Sequence, residues 1–219
     1  MVEDVIIIGA AGTGREVAGA IEDINSVERK WNLLGFLDDD AQKHQREYNG
    51  YSVLGPISAA TEYPACHFVI VLGNDRDLRL TKRVSDRLCE YVTRFATIIH
   101  PCANVSRYAE IGPGSVILQN CVITSNARIG RHVLVLFGSQ ISHDCIVEDY
   151  AVIAPNAVLS GGVRIGEGSY IGANASIIQN RNVGPWSCVG MAAAVFSDVP
   201  PNSTVVGNPA RLLRHRVQE

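Results

Sequence analysis

The sequence predicts a small parallel α/β domain followed by a parallel β-helix built from six-residue repeats. The β-helix rests on sixteen positions spaced six apart, from Val105, Ile111, Ile117 and Ile123 through to Val189 and Val195, all Ile, Leu or Val. Four residues after each step stands a mostly small side chain, as at Ala109, Ser115, Cys121, Ala127 and Cys145, with Arg181 the one large exception. A period of six fits neither the 3.6 of an amphipathic helix nor the 2.0 of a half-buried strand; it marks a hexapeptide solenoid. The α/β prediction rests on residues 1–100, where short aliphatic runs alternate with helical patterns.

Taken in order, residues 4–9 (DVIIIG) suit a buried parallel strand ended by glycine. The turn Gly9-Ala10-Ala11-Gly12-Thr13-Gly14 leads into a helix over Arg15–Asp23, with Val17, Ala20, Ile21 and Ile24 at helical spacing. Leu33–Leu37 is a second strand ending at Asp38-Asp39-Asp40, residues 42–50 a polar loop, and Ser52–Pro56 a short extended segment. A third strand, Phe68–Leu72, breaks at Gly73-Asn74. A helix follows with Asn74 or Asp75 as its cap and Leu78, Val84 and Leu88 inward. Arg94–Ile99 is a fourth strand, and His100-Pro101 closes this unit, which gives boundaries at 1–100, 101–198 and 199–219. Three hexads make an 18-residue coil of a triangular prism, so sixteen make about five coils, each stabilised by its neighbours. The unbroken frame leaves no projecting loop. The tail beyond Pro200-Pro201 is the expected cover for the last coil's open edge.

Charge is close to balanced, with 19 basic and 22 acidic residues, so nothing points to nucleic acid or an anionic membrane. No apolar run approaches the roughly 18 residues of a membrane span, and the start MVEDVIIIGAAG lacks the basic region of a signal peptide. Six cysteines show no CxxC spacing, and Cys121 and Cys145 fill small-residue slots of the repeat, so packed thiols are expected. These features point to a soluble, cytoplasmic protein.

The hexads together with VVGNPAR (Val205–Arg211) resemble the left-handed β-helix acyltransferases, which use acetyl-CoA or acyl-carrier protein. The GAAGTG turn, the strand ending GFLDDD, and IIHP leading into the first hexad narrow the likeness. Together they are similar to the subgroup holding sialic acid O-acetyltransferases and acetyltransferases of nucleotide-linked 4-amino-4,6-dideoxy sugars. The resemblance spans essentially the whole chain. It implies an α/β domain that holds the nucleotide sugar, a left-handed β-helix for catalysis and acetyl-CoA, and a homotrimer with donor sites between subunits. Acetyl-CoA enters as co-substrate; no permanently bound cofactor or metal is expected.

His143-Asp144, in QISHDCIVED, matches the subgroup's catalytic histidine followed by an acid. His143 comes two residues after Ile141, close to where a coil turns. It would take the acceptor's proton, while Asp144 orients the ring and favours the imidazolium. Adjacent side chains on a flat strand point to opposite faces, so this pairing requires a bend in the backbone. The GAAGTG turn is not the dinucleotide fingerprint, because Ala11 replaces its second glycine. The resemblance nonetheless assigns Ala11, Gly12 and Thr13 to the nucleotide sugar, with Asp38 and Asp39 for the nucleoside. Gly73 and Asn74 lie on the strand edge where open α/β sheets bind ligands. For acetyl-CoA it assigns Val152, Ala173 and Met191, with Gly172 and Gly190 allowing close approach. Relatives usually carry histidine where this chain has Thr13 and Val152. The thioester carbonyl is therefore expected to meet a backbone N–H or water.

O-acetylation of a sialic acid or another sugar is the competing enzyme reading, and a non-catalytic binding protein of the same fold is a second alternative. A hexapeptide zinc enzyme would need three converging histidines, and the hexads offer only His132 and His143. His132, three residues after Ile129 and without an acidic neighbour, is expected at the surface, while His100 before Pro101 is expected to be structural.

Overall fold

The computed structural model describes residues 2–73 and 75–216. Strand β1 (Glu3–Ile8) sits inside a sheet with β2 (Trp31–Leu37) and β5 (His67–Ile70) as parallel neighbours. The hairpin of β3 (Glu47–Tyr48) and β4 (Tyr51–Gly55) completes the order β3-β4-β2-β1-β5. Val5 to Ile8 are fully buried, as an aliphatic run covered on both faces should be. Helix α1 (Gly12–Val27) begins three residues earlier than Arg15 and buries Val17, Ala18, Ala20 and Ile21. Gly14 packs on the carbonyl of Gly9 so closely that a Cβ would overlap it, which fixes a glycine there for packing.

Two expectations are corrected. Helix α2 (Leu80–Leu88) does not start at Asn74 or Asp75. Asp77 forms the turn that leads into it, its side chain accepting from the Arg79 N–H at 3.2 Å, while residues 75–79 cross the last coils. The expected fourth strand divides: Phe95 alone bridges Phe68, and β6 (Ile98–Ile99) leaves the sheet to pair with Val116–Ile117. Ile98 is fully buried there, so the chain enters the prism before His100-Pro101.

The prism is a left-handed parallel β-helix. Its two-residue strands stack at an offset of eighteen, as in Ile123 beside Ile141 and Ile129 beside Val147. Face 1 starts at Asn104–Val105, face 2 at Glu110–Ile111 and face 3 at β6 and Val116–Ile117. Step residues from Ile117 to Val195 form one continuous core, with Val105 and Ile111 partly buried against it. At each corner the third residue after the step turns left-handed, from Asn120, Asn126 and His132 to Trp186 and Ala192. Asparagine recurs because its short polar side chain tolerates positive φ.

Outward side chains decide what covers each face. On face 3 they are apolar (Val116, Leu134, Val152), and they pack under the α/β domain with Ile98, Ala20 and Ile21. Burial contributes roughly 1.5–3 kcal/mol per such side chain. The part-exposed Lys82–Glu167 pair contributes about 0–1 kcal/mol, so docking is mainly apolar. Helix α2 runs down the edge between faces 2 and 3. Arg79 lies over Trp186, Lys82 over Tyr150, and Ser85 meets His132 at 3.3 Å. The tail adds Ser203–Val206 to face 3 and folds Arg211–His215 back on it antiparallel. No helix among the described residues is long and apolar enough to cross a membrane.

Candidate active site

His143 and Asp144 occupy the edge between faces 1 and 2, in the turn joining Gln140–Ile141 to Ile146–Val147. Asp144 is the corner residue, with φ +60°, and this left-handed turn brings the adjacent side chains together. His143 Nδ1 and Asp144 Oδ2 are 2.8 Å apart, with 67% and 58% of the two side chains exposed. One coil earlier, Asn126 Nδ2 donates to the other carboxylate oxygen at 3.1 Å. The bonds from His143 and Asn126 lower the Asp144 pKa, so its carboxylate is ionised and only accepts. In the neutral ring Nδ1 then carries the hydrogen and Nε2 presents a lone pair. One coil later the ring lies against Gly161, and a cavity of about 410 Å³ opens beside Gly162, Gln179 and Asn180.

Asn126 and Gly161 were not singled out from sequence, yet both stand in the His143-Asp144 columns, seventeen and eighteen residues away (126 to 143, 143 to 161). A Cβ on Gly161 would come within 2.5 Å of His143 Cε1 and 2.6 Å of Nε2. Gly161→Ala is expected to displace the imidazole and lower kcat at least about tenfold, with little loss of stability because the ring is exposed and can move. Steady-state kinetics beside a thermal melt check this; unchanged kcat in a folded variant counts against it.

Ala11 flanks the first turn of α1, and Gly12 opens that turn with no atom within 4 Å of an added Cβ. With Thr13 they leave an uncapped helix start, where backbone N–H groups suit an anion. Asp38 is spent internally. Its oxygens accept from the Ala10 and Asp40 N–H groups and from Lys43 Nζ, all at 2.9 Å. Burial alone would raise its pKa, but those bonds prevail and lower it. Asp39 accepts from the Ile57 N–H and from Arg87. Gly73 presses on Val152 and Leu134, where a Cβ would lie 2.5 Å from Val152 Cγ2. Asn74 lies outside the described residues.

Val152 is buried on face 3 beneath Gly73. Gly172 backs onto Gly190 and Met191, and Gly190 lies under Val206 of the tail, so both glycines have packing reasons. Ala173 and Met191 stand on the edge between faces 3 and 1, with Met191 73% exposed. One chain therefore does not bring its His143 together with its acceptor crevice or these donor positions. The edge between faces 1 and 2 lies opposite face 3.

Against expectation, His132 is buried on the edge between faces 2 and 3, 3% exposed, stacked on Tyr150 and edge-on to Phe95. Its partners come from α2 (Ser85), from the segment after it (Phe95) and from the next coil (Tyr150), none of them close to it in sequence. His100 is buried and bonds Asp23 at 2.9 Å. Among the described residues, no three His, Cys, Asp or Glu side chains are grouped to hold a metal. Cys121 and Cys145 are packed thiols donating to the Leu136 and Ser160 carbonyls, and burial raises both pKa values, that of Cys121 to about 11.

The hexapeptide β-helix thus carries an edge histidine paired to an acid and, on another face, an α/β domain. The PglD N-terminal domain family matches residues 4–82, and the GMPPB C-terminal domain family matches residues 94–180. GDP-perosamine N-acetyltransferase of Escherichia coli O157:H7 is 33% identical over 215 residues, 95% of each chain. The acetyltransferase domain of PglB from Neisseria gonorrhoeae superposes with a TM-score of 0.86 at 32% identity, covering 96% of this chain and 100% of that one. A histidine-to-asparagine mutant of perosamine N-acetyltransferase from Caulobacter crescentus, in complex with CoA and GDP-perosamine, shares the fold with a TM-score of 0.86 at 24% identity, over 98% of each chain. The chain belongs to the left-handed β-helix acetyltransferase family that includes GDP-perosamine N-acetyltransferase, and it is an acyltransferase.

Proposed function

We propose that this protein moves the acetyl group of acetyl-CoA to the 4-amino group of a nucleotide-linked 4-amino-4,6-dideoxy sugar, with His143 as general base. The observation that carries this reading is the 2.8 Å His143–Asp144 contact on an exposed edge, which leaves Nε2 to meet a substrate. The amine attacks the thioester carbonyl as its proton passes to Nε2, and Asp144 beside Nδ1 stabilises the imidazolium. Collapse of the tetrahedral adduct breaks the C–S bond, and the departing CoA sulfur takes the proton back. Cys145 follows directly in sequence but is buried as a thiol, so an acyl-enzyme has no nucleophile there. With Val152 hydrocarbon, the carbonyl oxygen is met by a backbone N–H or water.

The acceptor is assigned to the crevice of Ala11, Gly12, Thr13 and Gly73, and the donor to the coils near Ala173 and Met191. Because His143 stands opposite the α/β domain, a working site combines the edge of one copy with the crevice of another, as a closed homotrimer allows. The family membership supports the amino-sugar acceptor, and the PglB domain in complex with acetyl coenzyme A supports the donor.

With acetyl-CoA and a panel of UDP-, GDP- and dTDP-4-amino sugars, free thiol is expected for at least one acceptor. Release with free sialic acid alone would move the reading to O-acetylation. The shared site has its own test. Gly12→Trp, which fills the crevice, and His143→Ala are each expected to be inactive. Co-expressed in equal amounts, they are expected to recover about a quarter of wild-type activity, the share of interfaces with both halves intact. No recovery in demonstrated mixed oligomers would place both halves in one chain.

A further inference from the structure

Where the lead-in to α2 crosses the last coil, a cavity of about 460 Å³ opens on the edge between faces 2 and 3. It lies on neither the His143 edge nor the Met191 edge. Arg76, Arg79, Arg83 and Arg216 wall it, and among its described lining residues Asp77 is the one carboxylate. The chain as a whole carries a net charge of −3, so this concentration of guanidinium groups runs against its overall balance.

Asp77 takes both contacts of Arg83. Arg79 and Arg216 are held by uncharged groups instead. Arg79 lies 4.2 Å over the Trp186 ring and donates to Asn202 Oδ1 at 3.4 Å. Arg216 donates to the Asp75 and Arg76 carbonyls at 2.9 and 3.1 Å. These contacts fix the position of the cations without neutralising them, which is how an anion site is preorganised.

Trp186 supplies an independent sign. It occupies a left-handed corner, φ +57°, on the edge whose other corners hold Gly114, His132, Tyr150 and Gly168, and a bulky side chain is strained there. Its ring lies across Gly168 of the preceding coil, where a Cβ would overlap it. The indole is thus a plate between Gly168 and the Arg79 guanidinium, and its packing sets the direction of that cation.

We propose that this cavity binds a phosphate or diphosphate ester. A carboxylate has two oxygens in one plane and is satisfied by a single fork, whereas the guanidinium groups of Arg79 and Arg216 arrive here from two separate segments, the lead-in to α2 and the tail. A tetrahedral phosphate accepts from both. The proposal does not depend on the acetyl-transfer reading.

Trp186 is one of two tryptophans, and Trp31 is buried in the α/β core, so intrinsic fluorescence reports on the cavity. Titrating the full-length protein with inorganic phosphate and with pyrophosphate at constant ionic strength is expected to give saturation, tighter for pyrophosphate. Arg79→Ala with Arg216→Ala is expected to weaken pyrophosphate at least about tenfold. If that variant fails to fold, Arg79→Lys with Arg216→Lys keeps the charge, loses the fork, and is expected to bind several-fold more weakly. No saturation by fluorescence and calorimetry, or equal affinity in the folded variants, overturns the proposal. Displacement then separates the sources. CoA but not dephospho-CoA marks the donor's 3′-phosphate, a nucleoside diphosphate marks the acceptor, and neither marks a separate effector.

Discussion

Replacing His143 with alanine is expected to lower kcat by roughly 10²–10⁴-fold while leaving acetyl-CoA affinity close to wild type. The size follows from losing the group that takes the amine proton in the transition state. Affinity survives because the side chain is largely exposed, and the nearest step residue, Ile141, stays buried in the core. Asp144 keeps its corner and its bond from Asn126, so the edge is expected to retain its shape. Calorimetry with acetyl-CoA separates binding from turnover. A folded His143→Ala protein that keeps wild-type kcat sinks the general-base assignment.

Acidification is expected to loosen the joint between the two domains through His132. Burial, followed by nearby Arg131, lowers its pKa from 6.5 to about 4, with Asp149 opposing. The unfolded chain therefore takes up this proton more readily than the folded one. Stability is fully present above pH 6.5, falls as pH drops from 6.5 to about 4, and loses nothing further from this group below that. The gap corresponds to about 3 kcal/mol. The ring is wedged between Tyr150, Phe95 and Ser85, so the loss falls on the contact between α2 and the prism. His132→Asn puts at this corner the residue used at Asn126 and Asn156, and it cannot titrate. Denaturant unfolding at pH 7 and pH 4.5 is expected to show a smaller pH difference in the variant. Equal differences would remove His132 from the account.

The prism was legible because each buried step residue is a local choice repeated at a fixed interval. The covered face is written in the outward column: Val116, Leu134, Val152 and Tyr170 face outward on face 3, whereas Glu110, Arg128 and Arg164 do so on face 2. The start of α2 was missed because Asp77 forms the turn that leads into it, and because the residues before it are drawn over the last coil by Arg79. His132 was misplaced because α2, which buries it, is some forty residues distant in the chain. At the candidate site the linear motif exposed His143 and Asp144. Their supports, Asn126 and Gly161, become neighbours only when the chain is folded on an interval of eighteen.

That interval also limits how such a protein can change. One residue inserted between Ile141 and Val147 and kept within the coil path would turn every later aliphatic position away from the interior, so length changes within the prism come as whole coils. Each coil advances the axis by the spacing of adjacent strands, about 4.8 Å. The distance from the His143 edge to any contact farther along the axis is therefore quantised. A descendant that accepts a longer or shorter acyl donor can shift its anchor by one such increment or exchange side chains at a fixed rung, but it cannot slide.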